Sequence, residues 1–175
     1  VHRPCNIEHM FDPLLPEPSA LAELGDAALI DALTGWAAAE SAAAARRLAV
    51  LAEFTTRRLR DAAFADWAVD DYQAAAIEVG AALNISHWVA ADQMELAIVL
   101  RTRLPKVAAR YAAGQVSGRT LTTIKKRTEL VRDPEALAAL DSALTENLDA
   151  YGPLSQHKLE AAIDVWVNAV DPDAV

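Results

Sequence analysis

The stretch DAALIDALTGWAAAESAAAARRLAVLAEFTTRRLR, residues 26–60, reads as one long helix. Asp26 stands where an N-cap belongs, and at a rise of about 1.5 Å per residue the segment would extend about 50 Å. Leu29, Leu33, Trp36, Ala43, Val50 and Phe54 mark a near-heptad apolar stripe, which Glu40 and Arg47 interrupt. The interruptions favour an amphipathic helix packed on its own domain over a strict coiled coil. The run Ala42-Ala43-Ala44-Ala45 leaves room for another backbone to approach closely.

Outward from this segment the helical signal recurs in shorter units. Upstream, residues 1–25 hold four prolines (Pro4, Pro13, Pro16, Pro18) and little periodicity, the mark of an irregular arm. Downstream, a loop over residues 61–69 precedes Asp70 and Asp71, acids placed for the cap and first turn of a helix from Tyr72 to Leu83. Asn84-Ile85-Ser86 breaks it, and Ser86 caps the next helix, from His87 to about Arg103. Pro105, welcome at a first helical position, opens a short helix to Ala113. Ser117 caps a helix to Arg132, Asp133-Pro134 opens one to about Ala150, and Ser155 caps the last, which runs to Val170. No segment alternates with a period of two. The expectation is an all-α fold, a single helical domain of about six to seven helices over residues 26–175, with one long N-terminal helix and a helix-turn-helix-like corner. Trp36 and Leu83 are expected to be buried, Leu83 as the last apolar residue before that corner.

Composition sets the class. The chain has 175 residues, 53% of them hydrophobic and 23% charged, with six glycines and 6% aromatics. Alanine supplies much of the apolar share, which favours closely packed helices over sheet. One cysteine excludes an internal disulfide framework. No apolar run approaches the roughly 20 residues of a bilayer span, and the first residues build no signal-peptide core. A cytoplasmic protein without membrane contact is the expectation.

Charge is distributed unevenly. The net −9 divides into −9 over residues 1–100, +8 over 101–132 and −8 over 133–175. Nine of the sixteen basic residues fall in the central block, beside one acid, Glu129. A polyanion responds to local charge density, and carboxylates beyond a Debye length of about 8 Å are largely screened at physiological salt. Arg103, Lys106 and Arg110 are three and seven apart. Arg119 with Lys126, and Lys125 with Arg132, stand seven apart, so each pair shares a helix face. Arg103, Lys106, Arg110, Arg119, Lys125, Lys126 and Arg127 are therefore the candidates for holding nucleic-acid phosphates, largely without reading sequence. The competing reading pairs these cations with the acidic flanks inside the domain.

Other motifs carry less. Residues 79–86, VGAALNIS, have the cadence of a helix-turn-helix, with a small residue, a tight turn and a serine cap. The following helix, however, offers His87, Asp92, Gln93 and Glu95 and no cation before Arg101, so a structural corner is the better reading. His2, Cys5, Glu8 and His9 are metal-ligand types at close spacing, but in a proline-bearing arm without a completing cluster, so no metal site is assigned. Trp36, Trp67, Trp88 and Trp166 read as core anchors. No catalytic residue and no cofactor is assigned.

In order and at their intervals, several motifs form a set. They are Thr34-Gly35-Trp36, Ala82-Leu83-Asn84-Ile85-Ser86-His87, Arg103-Leu104-Pro105-Lys106-Val107-Ala108 and Ala112-Ala113-Gly114-Gln115-Val116-Ser117. Asp133-Pro134-Glu135-Ala136-Leu137, Gly152-Pro153-Leu154-Ser155 and Asp171-Pro172-Asp173-Ala174 complete it. From about Leu33 to Ala174 the chain thereby resembles the mycobacterial REP (thirteen-E-twelve) repeat proteins, which share a domain of unknown function numbered two-two-two. The resemblance implies a helical module that in longer members precedes an HNH endonuclease, and it assigns no catalytic residue to the module itself. The His/Asn/His set of an HNH site has no matching position here, so the expectation is a fragment or a short member.

These readings combine into a DNA-associated accessory module that contacts phosphates through the basic centre and is not itself an enzyme. The rival is a protein-interaction or self-association module that uses residues 27–60 and binds no nucleic acid.

Overall fold

Caps and prolines place the helix starts. In the computed structural model, which describes residues 15–62 and 71–172, seven α-helices follow one another: α1 (Asp26–Ala62), α2 (Asp71–Leu83), α3 (His87–Thr102), α4 (Pro105–Ala112), α5 (Gly118–Arg127), α6 (Pro134–Tyr151) and α7 (Gln156–Val170). A 3-10 turn, Pro18–Glu23, precedes them, and no strand occurs among the described residues. The all-α expectation holds, as does the long first helix. The expected loop at 61–69 begins later, since α1 continues to Ala62; the rest of that loop, Asp70, Trp67 and the arm as far as residue 14, including its His2, Cys5, Glu8 and His9, lie outside the described residues.

Three of the expected side-chain caps act, whereas Asp26 is the first residue inside α1 and Ser155, at the N-cap of α7, makes no side-chain cap bond. Ser86 Oγ accepts from the Val89 amide at 3.3 Å, Ser117 Oγ from Thr120 at 3.2 Å and Asp133 from Ala136 at 2.7 Å. The α2–α3 corner closes by a paired carbonyl capture: the Ile85 amide donates to Gly80 O at 2.9 Å and the Asn84 amide to Ala81 O at 3.4 Å. Asn84 takes φ +53° to permit this. A Cβ on Gly80 would stand 2.9 Å from Ile85 O, so the corner requires glycine there. The same motif ends α4, where Gln115 donates to Arg110 O and Gly114 to Tyr111 O, both at 3.0 Å, with Gly114 at φ +76°.

α1 lies across α2, α3 and α4, α6 packs on α4 and α7, and α5 packs on α7 and α3. One contiguous core joins all seven helices, with Met94, Leu121, Ile124, Leu144 and Ile163 fully buried. Burial of each such side chain stabilises by about 1.5–3 kcal/mol.

Five sequence expectations change. The buried face of α1 carries Leu48, Leu51, Ala52 and Thr55, whereas most of the expected stripe lies about 100° around the helix, leaving Val50 72% exposed; Leu33, in line with Leu51 but upstream of the core, is 66% exposed. On a helix this rich in alanine, small residues mark the packed face as well as large ones do. Leu83 is 39% exposed instead of buried, and Trp36 is half-buried. Trp88 is 67% exposed, so it is no core anchor; its ring leans on His87 with centroids 4.6 Å apart. Finally, α5 stops at Arg127 instead of Arg132: Thr128 is its C-cap, and its hydroxyl turns back onto the Ile124 carbonyl at 2.9 Å and the Lys125 carbonyl at 3.3 Å, the latter the acceptor a longer helix would give to the Glu129 amide.

Candidate functional site

The basic centre lies where the helices meet. Arg103, just past α3, donates from one guanidinium nitrogen to the carbonyls of Thr128 and Val131, both at 2.8 Å. The last carbonyls of a helix have no partner within it, so this cation both caps α5 and holds the 128–131 segment against α3. Burial first, and then the charge of Arg132, lower the Arg103 pKa from its usual value. Arg119 does the same for α6, donating to Gly152 O at 3.2 Å and Leu154 O at 3.0 Å.

Four more cations span helix pairs through carboxylates. Arg101 reaches Glu53 of α1 at 2.8 Å, Arg110 reaches Asp149 of α6 at 2.5 Å and Lys125 reaches Glu95 of α3 at 2.5 Å. Arg127 grips Asp164 of α7 with two parallel bonds of 2.6 and 2.7 Å, the forked geometry that makes such pairs strong. The Asp164 bond raises the Arg127 pKa, and the bonds from Arg57 and Arg101 lower that of Glu53. Lys106 donates to Ser142 Oγ at 2.7 Å. Of the seven candidates, then, six make a bond within the fold. Lys126 is exposed and, like Arg132, has no hydrogen bond or ion pair among the described residues. The six bonded side chains form a seam of cross-links, tying the end of α3 to the segment after α5, α4 to α6, and α5 to α3, to α7 and to the turn after α6.

A carboxylate that the sequence did not single out completes the seam. Leu104 occupies the N-cap of α4 and has no side chain that could accept a bond. Asp141 of α6, 2% exposed, supplies the acceptors from outside, taking the Lys106 amide at 2.8 Å and the Val107 amide at 3.0 Å. The signal was available: a helix opening on Leu-Pro must obtain its cap elsewhere.

Large apolar side chains are the other surface feature. Ile30, Leu33, Val50, Ile77, Trp88 and Val165 are each at least 60% exposed. Val50, Phe54, Val79, Ala82 and Leu83 line a groove of about 350 Å³ between α1 and α2. A second cleft, about 500 Å³, lies between α1, α3 and α4 among Ala45, Ala49, Ala52, Ala97, Ala108 and Ala112. The α1 alanines thus face α3 and α4 across this cleft. Among the described residues no group of three or more His, Cys, Asp or Glu side chains could hold a metal ion, and no helix is long and apolar enough to cross a membrane.

Comparison with known proteins adds a family. Residues 36–175 match the family described as "Domain of unknown function (DUF222)". Three relatives come from Mycobacterium tuberculosis. "Uncharacterized protein Rv2100" is 49% identical over 170 residues, which cover 97% of this chain and 31% of that protein. "Uncharacterized protein Rv3776" is 51% identical over 166 residues, 95% of this chain and 32% of that protein. "Uncharacterized protein in est 3'region" is 51% identical over 166 residues, 95% of this chain and 47% of that protein. The chain therefore spans from just under a third to just under a half of the length of these relatives. No solved structure matches it. With the family matched over four-fifths of its length, the chain belongs to the DUF222 family.

Proposed function

We propose that this domain is a non-catalytic, cytoplasmic helical module that works by protein association. The carrying observation is how its surface is divided. Six of the seven cations chosen for phosphate contact already bond within the fold, while large apolar side chains stand in solvent. A cation bound to a partner carboxylate must release it before taking a phosphate, which removes most of the electrostatic gain. Exposed apolar area beyond scattered single residues is the usual mark of a contact surface. In longer proteins of the repeat family that the sequence resembles, such a module would dock or position an HNH nuclease half.

DNA contact is the second reading, and Lys126 and Arg132 favour it, being exposed and unpaired among the described residues. A fluorescence-anisotropy titration of labelled duplex DNA across ionic strengths separates the two. Two free cations support only weak binding, with a log–log salt slope no steeper than about −2, whereas a working seven-cation site requires about −6. A steep slope with tight low-salt binding would overturn the association reading.

A further inference from the structure

Ile30 and Leu33 are 62% and 66% exposed, yet they occupy the face of α1 that is buried further along. Ile30 stands eighteen residues before Leu48, and Leu33 eighteen before Leu51, a separation of about five full turns that returns to the same side of the helix. Leu48 and Leu51 are 4% and 7% exposed. The core-facing stripe thus continues upstream with large apolar side chains. Near the middle of α1 the Ala38 carbonyl touches Gly114 of the α4–α5 turn; on the upstream turns Ile30, Leu33, Thr34 and Ala37 are all exposed. Leu15 lies on a different side, against Gly35.

The charge along this stretch of chain is of one sign. Residues 15–45 contain Glu17, Glu23, Asp26, Asp31 and Glu40 and no Lys, Arg or His. A second copy placed on the same face would set acids against acids, a cost that argues against self-pairing here. We infer that the upstream face of α1 docks an amphipathic helix of a partner protein, one whose apolar stripe is flanked by Lys and Arg. Ile30 and Leu33 would be the anchors, in the helix-on-helix mode where residues at i and i+3 engage a facing apolar stripe, and the acids would set orientation and association rate.

This inference rests on the association reading, and its test leaves that reading separately checkable. The probe is a synthetic amphipathic helix of about 18 residues with a leucine stripe and flanking lysines, compared with its glutamate-flanked counterpart. Affinity is measured by titration calorimetry against the wild-type chain and the Ile30→Ser/Leu33→Ser variant, whose substitutions fall on exposed positions and keep every charge. The expected result is binding of the lysine peptide that weakens by about tenfold or more in the serine variant and weakens with salt, with the glutamate peptide at least about tenfold poorer. Equal binding to both proteins would mean bare charge attraction and overturn the inference, as would no binding at all. A wild-type dimer in a solution mass measurement, lost in the serine variant, would assign the face to a second copy and overturn it too. The DNA titration is indifferent to all of these outcomes.

Discussion

Removing the Asp141 carboxylate is expected to cost about 3 kcal/mol of stability. Pro105 has no amide hydrogen, so the first donors of α4 are the Lys106 and Val107 amides, and Asp141 accepts both at 2.8 and 3.0 Å. At 2% exposure the site gives water little access to replace it. A lost N-cap typically costs about 1 kcal/mol, and each hydrogen bond to a charged partner contributes about 1.5–3 kcal/mol. Two such bonds, less some relaxation of the α4 start, give about 3 kcal/mol for Asp141→Ala. Asp141→Asn retains one carbonyl oxygen and should cost about half as much. Domains of this size are stable by about 5–15 kcal/mol, so both shifts are readable in urea denaturation followed by far-UV circular dichroism. A loss under about 0.5 kcal/mol for Asp141→Ala would refute the cross-helix cap. A loss confined to alanine, with asparagine as stable as the wild type, would assign the effect to volume, not to hydrogen bonding.

Three further outcomes are expected. Gly114→Ala should destabilise by about 2 kcal/mol or more, since it combines a left-handed φ of +76° with a Cβ 2.6 Å from Ala38 O, while Gly25→Ala, with nothing within 4 Å, stays within about 0.5 kcal/mol in the same denaturation assay. Leu144→Ala should cost about 2–5 kcal/mol at a site with 0% exposure, and Leu83→Ala about 1 kcal/mol at 39%, a contrast that thermal melts resolve. Burial raises the pKa of Tyr72, Tyr111 and Tyr151 above 10.0. The folded state thus holds its phenol protons longer than the unfolded chain does, so stability is full below pH 10.0 and falls as pH rises through the folded values. Absorbance titration of the tyrosines beside alkaline unfolding curves checks this, and phenols that all ionise at their ordinary value would contradict it.

Helix starts were legible because Ser86, Ser117 and Asp133 act within four residues of themselves. The α1 face was not, because Ala52 and Thr55 line the core as fully as Leu48 does, and hydropathy ranks them below the exposed Val50. The fate of the cations was illegible for a different reason. Arg127 finds Asp164 and Lys125 finds Glu95 only after the chain has folded, across separations of 37 and 30 residues. The sequence carried both readings of the basic block, phosphate contact and internal pairing, and spacing along one helix could not choose between them. It also follows that reversing Lys125 and Arg127 to glutamate would set like charges against Glu95 and Asp164, so that change perturbs the fold as well as any DNA contact.

The basic centre is a structural seam, and Arg103 set beside Lys126 probes that role with the least ambiguity. Unfolding free energies of Arg103→Met and Lys126→Met, measured in parallel, compare a cation bonded to two backbone carbonyls at 2.8 Å with one exposed and unpaired among the described residues. The expected result is a loss of about 2 kcal/mol for Arg103→Met, a charged donor discounted for its partial exposure, and a change within about 0.5 kcal/mol for Lys126→Met. Two equally small changes would contradict it and return Arg103 to the surface as a cation free to bind phosphate.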